Sequence, residues 1–252
     1  SEHRMNDEQV TLDLSGETVL VTGASGNMGQ GIAERLAAAG AAIIVHYNKN
    51  EAAARALAEL LDAEPPVQPD LTVEQAVAAI FSQTAPTMVV NNAAAQPLQA
   101  LGDMSSGEWR AMLAANLDAA FLVMQQAIHM WAGKGGAIVN IASIEALDPA
   151  FGHGHYATSK AGLLMLSRAM ALEFGSAGVR VNCVSPGLID REGLARDWPD
   201  GVSRWHDRVP LGRLGTPQDV ADAVLFLLSP AARWISGTNL VVDGGMSAQS
   251  RW

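Results

Sequence analysis

Short apolar runs alternate with stretches of helical period along most of the chain. Val19-Leu20-Val21 is uniformly apolar and ends at Thr22-Gly23, which reads as a buried strand entering a tight turn. Ile32, Leu36 and Ala39 follow at helical spacing, with Gly40 as a stop. Ala42–Tyr47 is a second strand, Glu51–Leu61 an Ala-rich helix ended by Pro65-Pro66, and Val67–Leu71 a short third strand. Val73–Thr84 predicts a helix, Met88–Asn91 a strand, and a long fourth helix runs from a cap at Ser105 or Ser106 to about Trp131. Gly135-Gly136 breaks it before a strand at Ala137–Ala142, a fifth helix at His155–Phe174 and a strand at Val179–Val184. Residues 188–208 mix Gly, Pro, Trp and charge and read as an irregular or helical insertion, followed by a helix at Pro217–Leu228 and a last strand at Asn239–Val242. The strands are apolar on both faces and alternate with helices throughout. That pattern predicts an α/β fold, a doubly wound parallel sheet with helices on both faces, in one domain over 14–252. Residues 1–13 are polar and aperiodic and read as a flexible tail, those before Met5 as an addition to the natural start.

Composition narrows the function classes. Hydrophobic residues make up 49% and charged residues 17% of the 252, with a net charge of −10. So acidic a chain is a poor ligand for nucleic acid or anionic membrane. The one cysteine, Cys183, lies in an apolar run and is expected as a small buried thiol. Neither a continuous run of about 18 apolar residues nor a signal-peptide pattern is found, so the expected setting is cytoplasmic, without a membrane span. The fifth helix (Ala161 to Leu172) and the long fourth (Met112, Leu113, Phe121, Leu122, Met124, Met130) are apolar nearly all round. Such helices are buried on more than one face, and these two are expected to meet a second subunit across a two-fold axis.

Two places carry chemistry. Thr22-Gly23-Ala24-Ser25-Gly26-Asn27-Met28-Gly29 joins the first strand to the first helix. Glycines there let the backbone approach an anion, and the helix N-terminus favours a phosphate, so a dinucleotide is the expected ligand. Tyr156 and Lys160 stand four apart at a helix start and share a face. A phenol titrates near 10 (about), and an ammonium beside it lowers that value, giving an acid and base for neutral pH. Ser143 ends the strand before that helix, on the same rim as the glycine turn. Asn116 interrupts the apolar fourth helix and needs a partner if buried.

On these motifs the chain resembles the short-chain dehydrogenase/reductase family, single-domain type, whose sheet is Rossmann-like. The likeness runs from about Leu14 to Met246. Asn27 stands where the family's middle glycine usually is, a place that Asn fills because it tolerates left-handed backbone. Gly23, Gly26 and Gly29 also match the spacing of the family's longer epimerases and dehydratases. The closing segments Pro210 to Pro217 and Ser236 to Gly245 point back to the single-domain dehydrogenases. A cofactor-retaining epimerase or lyase, and a non-catalytic dinucleotide-binding protein, are the rival readings.

The resemblance implies an Asn116, Ser143, Tyr156, Lys160 catalytic set and hydride transfer between a nicotinamide and a secondary alcohol or ketone. Tyr156 would move the proton, Lys160 would tune it and bind the nicotinamide ribose, Ser143 would hold the substrate oxygen, and Asn116 would support a water path to Lys160. The implied cofactor contacts are Gly23, Ser25, Asn27, Met28 and Gly29 in the turn, then Asp70 with Leu71, and Asn92, Ala93 and Ala94 of the Asn91 to Ala94 element. Tyr156, Lys160, Pro186, Gly187 and Ile189 complete them, with Arg191 where the family often has Thr. The second strand ends in His46-Tyr47-Asn48-Lys49 with no acid to hold ribose hydroxyls or repel a 2′-phosphate. Tyr47, Asn48 and Lys49 therefore favour NADP(H) over NAD(H). Substrate contacts are expected from Glu145, His153, His155, Trp198 and Trp205, with His206 nearby. No metal site is expected. The family's usual assembly is a homotetramer, with a dimer as the alternative.

Overall fold

The computed structural model describes residues 11–248, so most of the expected N-terminal tail lies outside the described residues. One parallel sheet forms the centre. Its strands are β1 (Thr18–Val21), β2 (Ala42–Val45), β3 (Met88–Asn91), β4 (Gly136–Ile141), β5 (Val179–Pro186) and β6 (Asn239–Val242), in the order β2-β1-β3-β4-β5-β6. The order reverses between β1 and β3, and a crevice opens there at the carboxyl ends of the strands. The expected third strand at 67–71 is reduced to a bridge between His46 and Val67. Pro65, Pro66 and Pro69 withhold backbone donors on either side of it, so no ladder extends.

The helices are α1 (Asn27–Ala38), α2 (Glu51–Leu60), α3 (Glu74–Thr84), α4 (Ser106–Leu113), α5 (Ala119–Trp131), α6 (Gly154–Phe174), α7 (Leu194–Asp197), α8 (Pro199–His206) and α9 (Pro217–Leu228). The 188–208 insertion thus holds two short helices. Two apolar clusters lie on the sheet's opposite faces. One joins α1, α2 and α9 to it through Leu36, Leu57 and Leu225; the other joins α3, α5 and α6 through Ile80, Met124 and Leu163. Each such side chain contributes ~1.5–3 kcal/mol on burial.

The long fourth helix is continuous from Ser106 to Trp131, but its middle, Ala114–Asp118, is a π turn joining α4 to α5. It is the one helix among the described residues long and apolar enough to cross a membrane by length and composition. The sequence count missed it because Asn116, Asp118, Gln125 and Gln126 break the apolar run. Packing accounts for part of its hydrophobicity: Ala120, Val123, Met124, Ala127 and Trp131 are buried against the core, and Met112 is buried as well.

Candidate active site

The glycine turn is built by close contacts. Gly23 has φ +64°, a left-handed value, and a Cβ there would lie 2.9 Å from Ala93 Cα. At Gly29 a Cβ would stand 2.3 Å from the Gly23 carbonyl. Asn27 does not supply a left-handed residue, contrary to the reading of its place in the motif. It is the first residue of α1, while Gly26 before it is extended. Its side chain instead donates from Nδ2 to the Asp190 carbonyl at 2.8 Å, joining the turn to the loop after β5.

Thr22 and Asn92 hold the floor of the crevice. Thr22 Oγ1 accepts from the amides of Asn92 and Ala93 at 2.9 and 3.0 Å. Asn92 Nδ2 donates to the carbonyls of Thr22 and Gly23, while its Oδ1 is buried with no protein partner. A glycine cradle at a helix N-terminus, with an orphaned buried acceptor beneath it, fits a dinucleotide. Ala94 in place of the family's glycine is exposed, so its methyl has room.

His46 was not among the expected cofactor residues, yet it braces this site. The ring is buried, Nδ1 accepts from the Gly23 amide at 3.0 Å, and Nε2 lies 3.1 Å from the Pro69 carbonyl. A carbonyl only accepts, so Nε2 carries the hydrogen and the ring is neutral. Burial lowers its pKa accordingly. The sequence signal was a polar residue ending an apolar strand. Tyr47 is buried in the core beside it, leaving Asn48 and Lys49 exposed at the rim. Asp70 is exposed, and its carboxylate accepts from the amide and hydroxyl of Thr72, while Leu71 is buried.

Ser143, Tyr156 and Lys160 come together at the carboxyl ends of β4 and β5. Ser143 caps a short turn, its Oγ accepting from the Glu145 amide at 3.1 Å, and its hydroxyl acts on the Tyr156 phenol, favouring the phenolate. Both Tyr156 and Lys160 lie in the first two turns of α6, and the ammonium is 5.7 Å from the phenol ring centroid. Lys160 is buried and donates to the Ile141 carbonyl at 2.7 Å. The expected downward pull on Tyr156 does not prevail. Burial pushes the phenol up to about 12, opposed by Ser143 and reinforced by the Glu145 charge. Burial also brings Lys160 down to about 8, with the nearby Cys183 opposing. Burial is the largest influence on both groups.

Asn116 sits in the π turn and finds its partners there. Oδ1 accepts from the Ala95 amide at 2.7 Å, and Nδ2 donates to the Ala95 carbonyl at 2.9 Å and to Ser159 Oγ at 3.2 Å. A small cavity of about one water's size, bordered by Asn116, Lys160, Thr22 and Leu71, separates it from Lys160. Behind them Cys183 is the buried thiol expected. It donates to Ser167 Oγ, which also accepts from Asn140, itself bonded to Asn91.

Of the expected substrate residues, Glu145 and His153 line the approach to Tyr156. His153 Nδ1 is 2.9 Å from the Glu145 carboxylate, and its ring centroid is 5.7 Å from that of Tyr156. His155 does not join them. It is buried on α6 where that helix packs on α4, with Glu108 as its electrostatic neighbour. Trp198 is exposed, stacked under Arg204. Trp205 packs against Gly187 in the turn after β5 and against the small cluster of Leu194, Val202 and Leu214. Pro186 and Gly187 form that turn, with Gly187 donating to the Val242 carbonyl. Ile189 bridges to Gly215, and Arg191 pairs with Asp197 on α7. No group of His, Cys, Asp and Glu among the described residues could hold a metal ion.

A dinucleotide cradle at the switch point of a parallel sheet, with a buried Ser, Tyr and Lys at its lip, defines a nicotinamide-dependent oxidoreductase. A family model described as enoyl-(acyl carrier protein) reductase matches residues 23–247. The chain is 34% identical over 248 residues to 3beta-hydroxysteroid dehydrogenase 1 of Eggerthella lenta, covering 93% of this chain and 95% of the relative. It is 35% identical to the 3-oxoacyl-acyl-carrier-protein reductase FabG of Chlamydia muridarum, covering 93% and 98%. A 7 alpha-hydroxysteroid dehydrogenase structure with NADH and 7-oxo glycochenodeoxycholic acid superposes with TM-score 0.87 at 32% identity, covering 93% of this chain and 95% of that one. The chain belongs to the short-chain dehydrogenase/reductase family. It is an NAD(P)-dependent oxidoreductase acting on alcohol and ketone groups.

Proposed function

We propose that this protein interconverts a small secondary alcohol and its ketone, with Tyr156 as the acid and base. The observation that carries this reading is the buried Ser143–Tyr156–Lys160 cluster on the same rim as the Gly23 to Gly29 cradle. When bound, the nicotinamide supplies or takes the hydride. In reduction Tyr156 Oη gives its proton to the carbonyl oxygen, which Ser143 Oγ holds in place; in oxidation the proton returns. Such proton transfer contributes ~10²–10⁴-fold. Lys160 holds its ammonium toward the ribose side of the site, and Asn116 with the neighbouring cavity supports a water link to it. Gly23, Ser25, Asn27, Met28 and Gly29 would hold the pyrophosphate, Asp70 and Leu71 the adenine, and Asn92, Ala93 and Ala94 would line the cofactor's path, with Pro186, Gly187 and Ile189 beside the nicotinamide.

NADP(H) is favoured over NAD(H). Lys49 and Asn48 are exposed at the end of β2, and no carboxylate stands there to repel a 2′-phosphate. Tyr47, being buried, supports that corner without reaching the phosphate. In this reading residues 14–252 act as one cofactor-binding and catalytic domain of a cytoplasmic homotetramer.

The test is a cofactor titration followed by turnover read at the nicotinamide absorbance. Tyr156→Phe keeps cofactor affinity and loses nearly all turnover. Retained turnover in that variant would sink the mechanism. Turnover with no net cofactor consumption would favour the epimerase or lyase reading instead.

A further inference from the structure

The proton chemistry leaves two polar groups beside Tyr156 unused. Glu145 and His153 have side chains only 16% and 15% exposed, so both are largely withdrawn from water. The carboxylate can only accept, so His153 Nδ1 carries the hydrogen and shares it between the two oxygens at 2.9 and 3.1 Å. Nε2 makes no protein hydrogen bond among the described residues and is not one of the buried orphaned atoms, so it is open to a ligand or water. Gln96 Nε2 reaches the same carboxylate at 3.3 Å from the loop after β3. The pair is close to the reacting centre on two counts. Its imidazole is tilted 55° against the Tyr156 ring, and the Glu145 charge is felt at the phenol. The Glu145 amide also donates to Ser143 Oγ, so the carboxylate's stem begins next to the group that holds the reacting oxygen.

What would such a pair accept? An apolar ring or alkyl chain seated here would strip the remaining water from a carboxylate and an imidazole and return no hydrogen bond, which is costly. A substrate carboxylate would face the Glu145 charge. A hydroxyl suits either group, donating its one hydrogen to a Glu145 oxygen or to His153 Nε2, and a substrate with several hydroxyls can serve both. Because the Glu145 amide is bonded to Ser143 Oγ and the His153 ring lies beside that of Tyr156, such a hydroxyl stands close to the reacting carbinol.

We propose that Glu145 and His153 form a hydroxyl-recognition subsite that selects vicinal diols and small polyols, and the corresponding hydroxyketones, over mono-alcohols. The inference rests on the oxidoreductase reading above and names its substrate class. A site built to hydrogen-bond a substrate hydroxyl discriminates strongly against the analogue lacking it.

The test uses matched pairs: butane-2,3-diol against butan-2-ol, and cyclohexane-1,2-diol against cyclohexanol. Oxidation is followed at the nicotinamide absorbance in the full-length protein, in Glu145→Gln and in His153→Asn. The wild type should favour the diol by about 10–100-fold in kcat/KM. Glu145→Gln should bring that ratio within a few-fold of one, mainly through a raised KM for the diol. His153→Asn still donates to Glu145 but offers nothing in place of Nε2, and it should lower the ratio as well. Thermal melting and cofactor binding report whether each variant is folded. Equal use of diol and mono-alcohol by the wild type overturns the inference and leaves the oxidoreductase reading standing. So does a diol preference that survives in both folded variants, which would make the pair a loop brace only. No cofactor-coupled turnover with any probe overturns both readings together.

Discussion

At the scale of single residues, the site depends on buried groups whose charge state burial decides. His46 shows this most directly. Its folded pKa is depressed, so the stability that it contributes is complete above its unfolded value of about 6.5 and is lost as pH falls through the folded value. Protonation would put a hydrogen on Nδ1, where the Gly23 amide now donates. Cofactor affinity is therefore expected to weaken on acidification, and His46→Ala should raise the cofactor Kd while leaving kcat at saturating cofactor little changed. Isothermal titration across pH 5 to 8 (about) checks this; a pH-independent Kd in the wild type would count against it. Tyr156 makes a second residue-scale prediction. With the phenol at about 12, the phenolate that alcohol oxidation needs is scarce at neutral pH. Oxidation should speed up as pH rises through the alkaline range, whereas a flat kcat/KM profile would show that another group takes the proton.

Elements decide where those residues stand. The π turn at Ala114–Asp118 adds a residue to one turn of a long helix, and Asn116 uses the extra reach to pin both backbone groups of Ala95. Asn116→Ala would leave the Ala95 amide and carbonyl unpaired in a half-buried place, costing ~1–3 kcal/mol each. The melting temperature should fall, and turnover should fall further than melting alone explains, because the loop after β3 also carries Gln96. Differential scanning calorimetry beside steady-state rates separates the two. At the far side of the crevice, Thr216 and Asp219 cap α9 reciprocally, and Arg213 holds the Asp219 carboxyl far below its usual range. Removing the cap with Thr216→Ala should cost ~1 kcal/mol, read from urea unfolding. An unchanged midpoint would mean that α9 is held by its apolar face alone.

At the scale of the whole molecule, several large apolar side chains stay exposed. Met165 and Leu172 on α6, Phe121 on α5, and Leu147 with Phe151 ahead of α6 are exposed. In water such exposure favours association. Light scattering at micromolar concentration should report a tetramer, with a dimer as the smaller assembly. Met165→Glu should shift it towards smaller species, and a wild-type monomer would refute the expected interface.

How much was legible in the sequence follows from what each signal depends on. Parallel strands, the glycine turn and the order of helices were legible because periodicity and backbone sterics are local. Ser143, Tyr156 and Lys160 were legible through the family resemblance, with a strand end and a helix start placing them on one rim. The remainder depended on neighbours distant in sequence. His46 became a brace because Gly23 and Pro69 arrive on its two sides, 23 residues away in each direction. His153 found Glu145, while His155, two residues on, turned into the packing against α4, since a helix separates such neighbours onto different faces. Trp205 of the insertion packs against Gly187, while Trp198 stays exposed beside Arg204. Even for Tyr156 and Lys160, whose pairing is plain in the spacing, burial sets the direction of each shift. Spacing says that two groups can meet, but only the packed interior determines how much water each has lost and which carbonyl takes the ammonium.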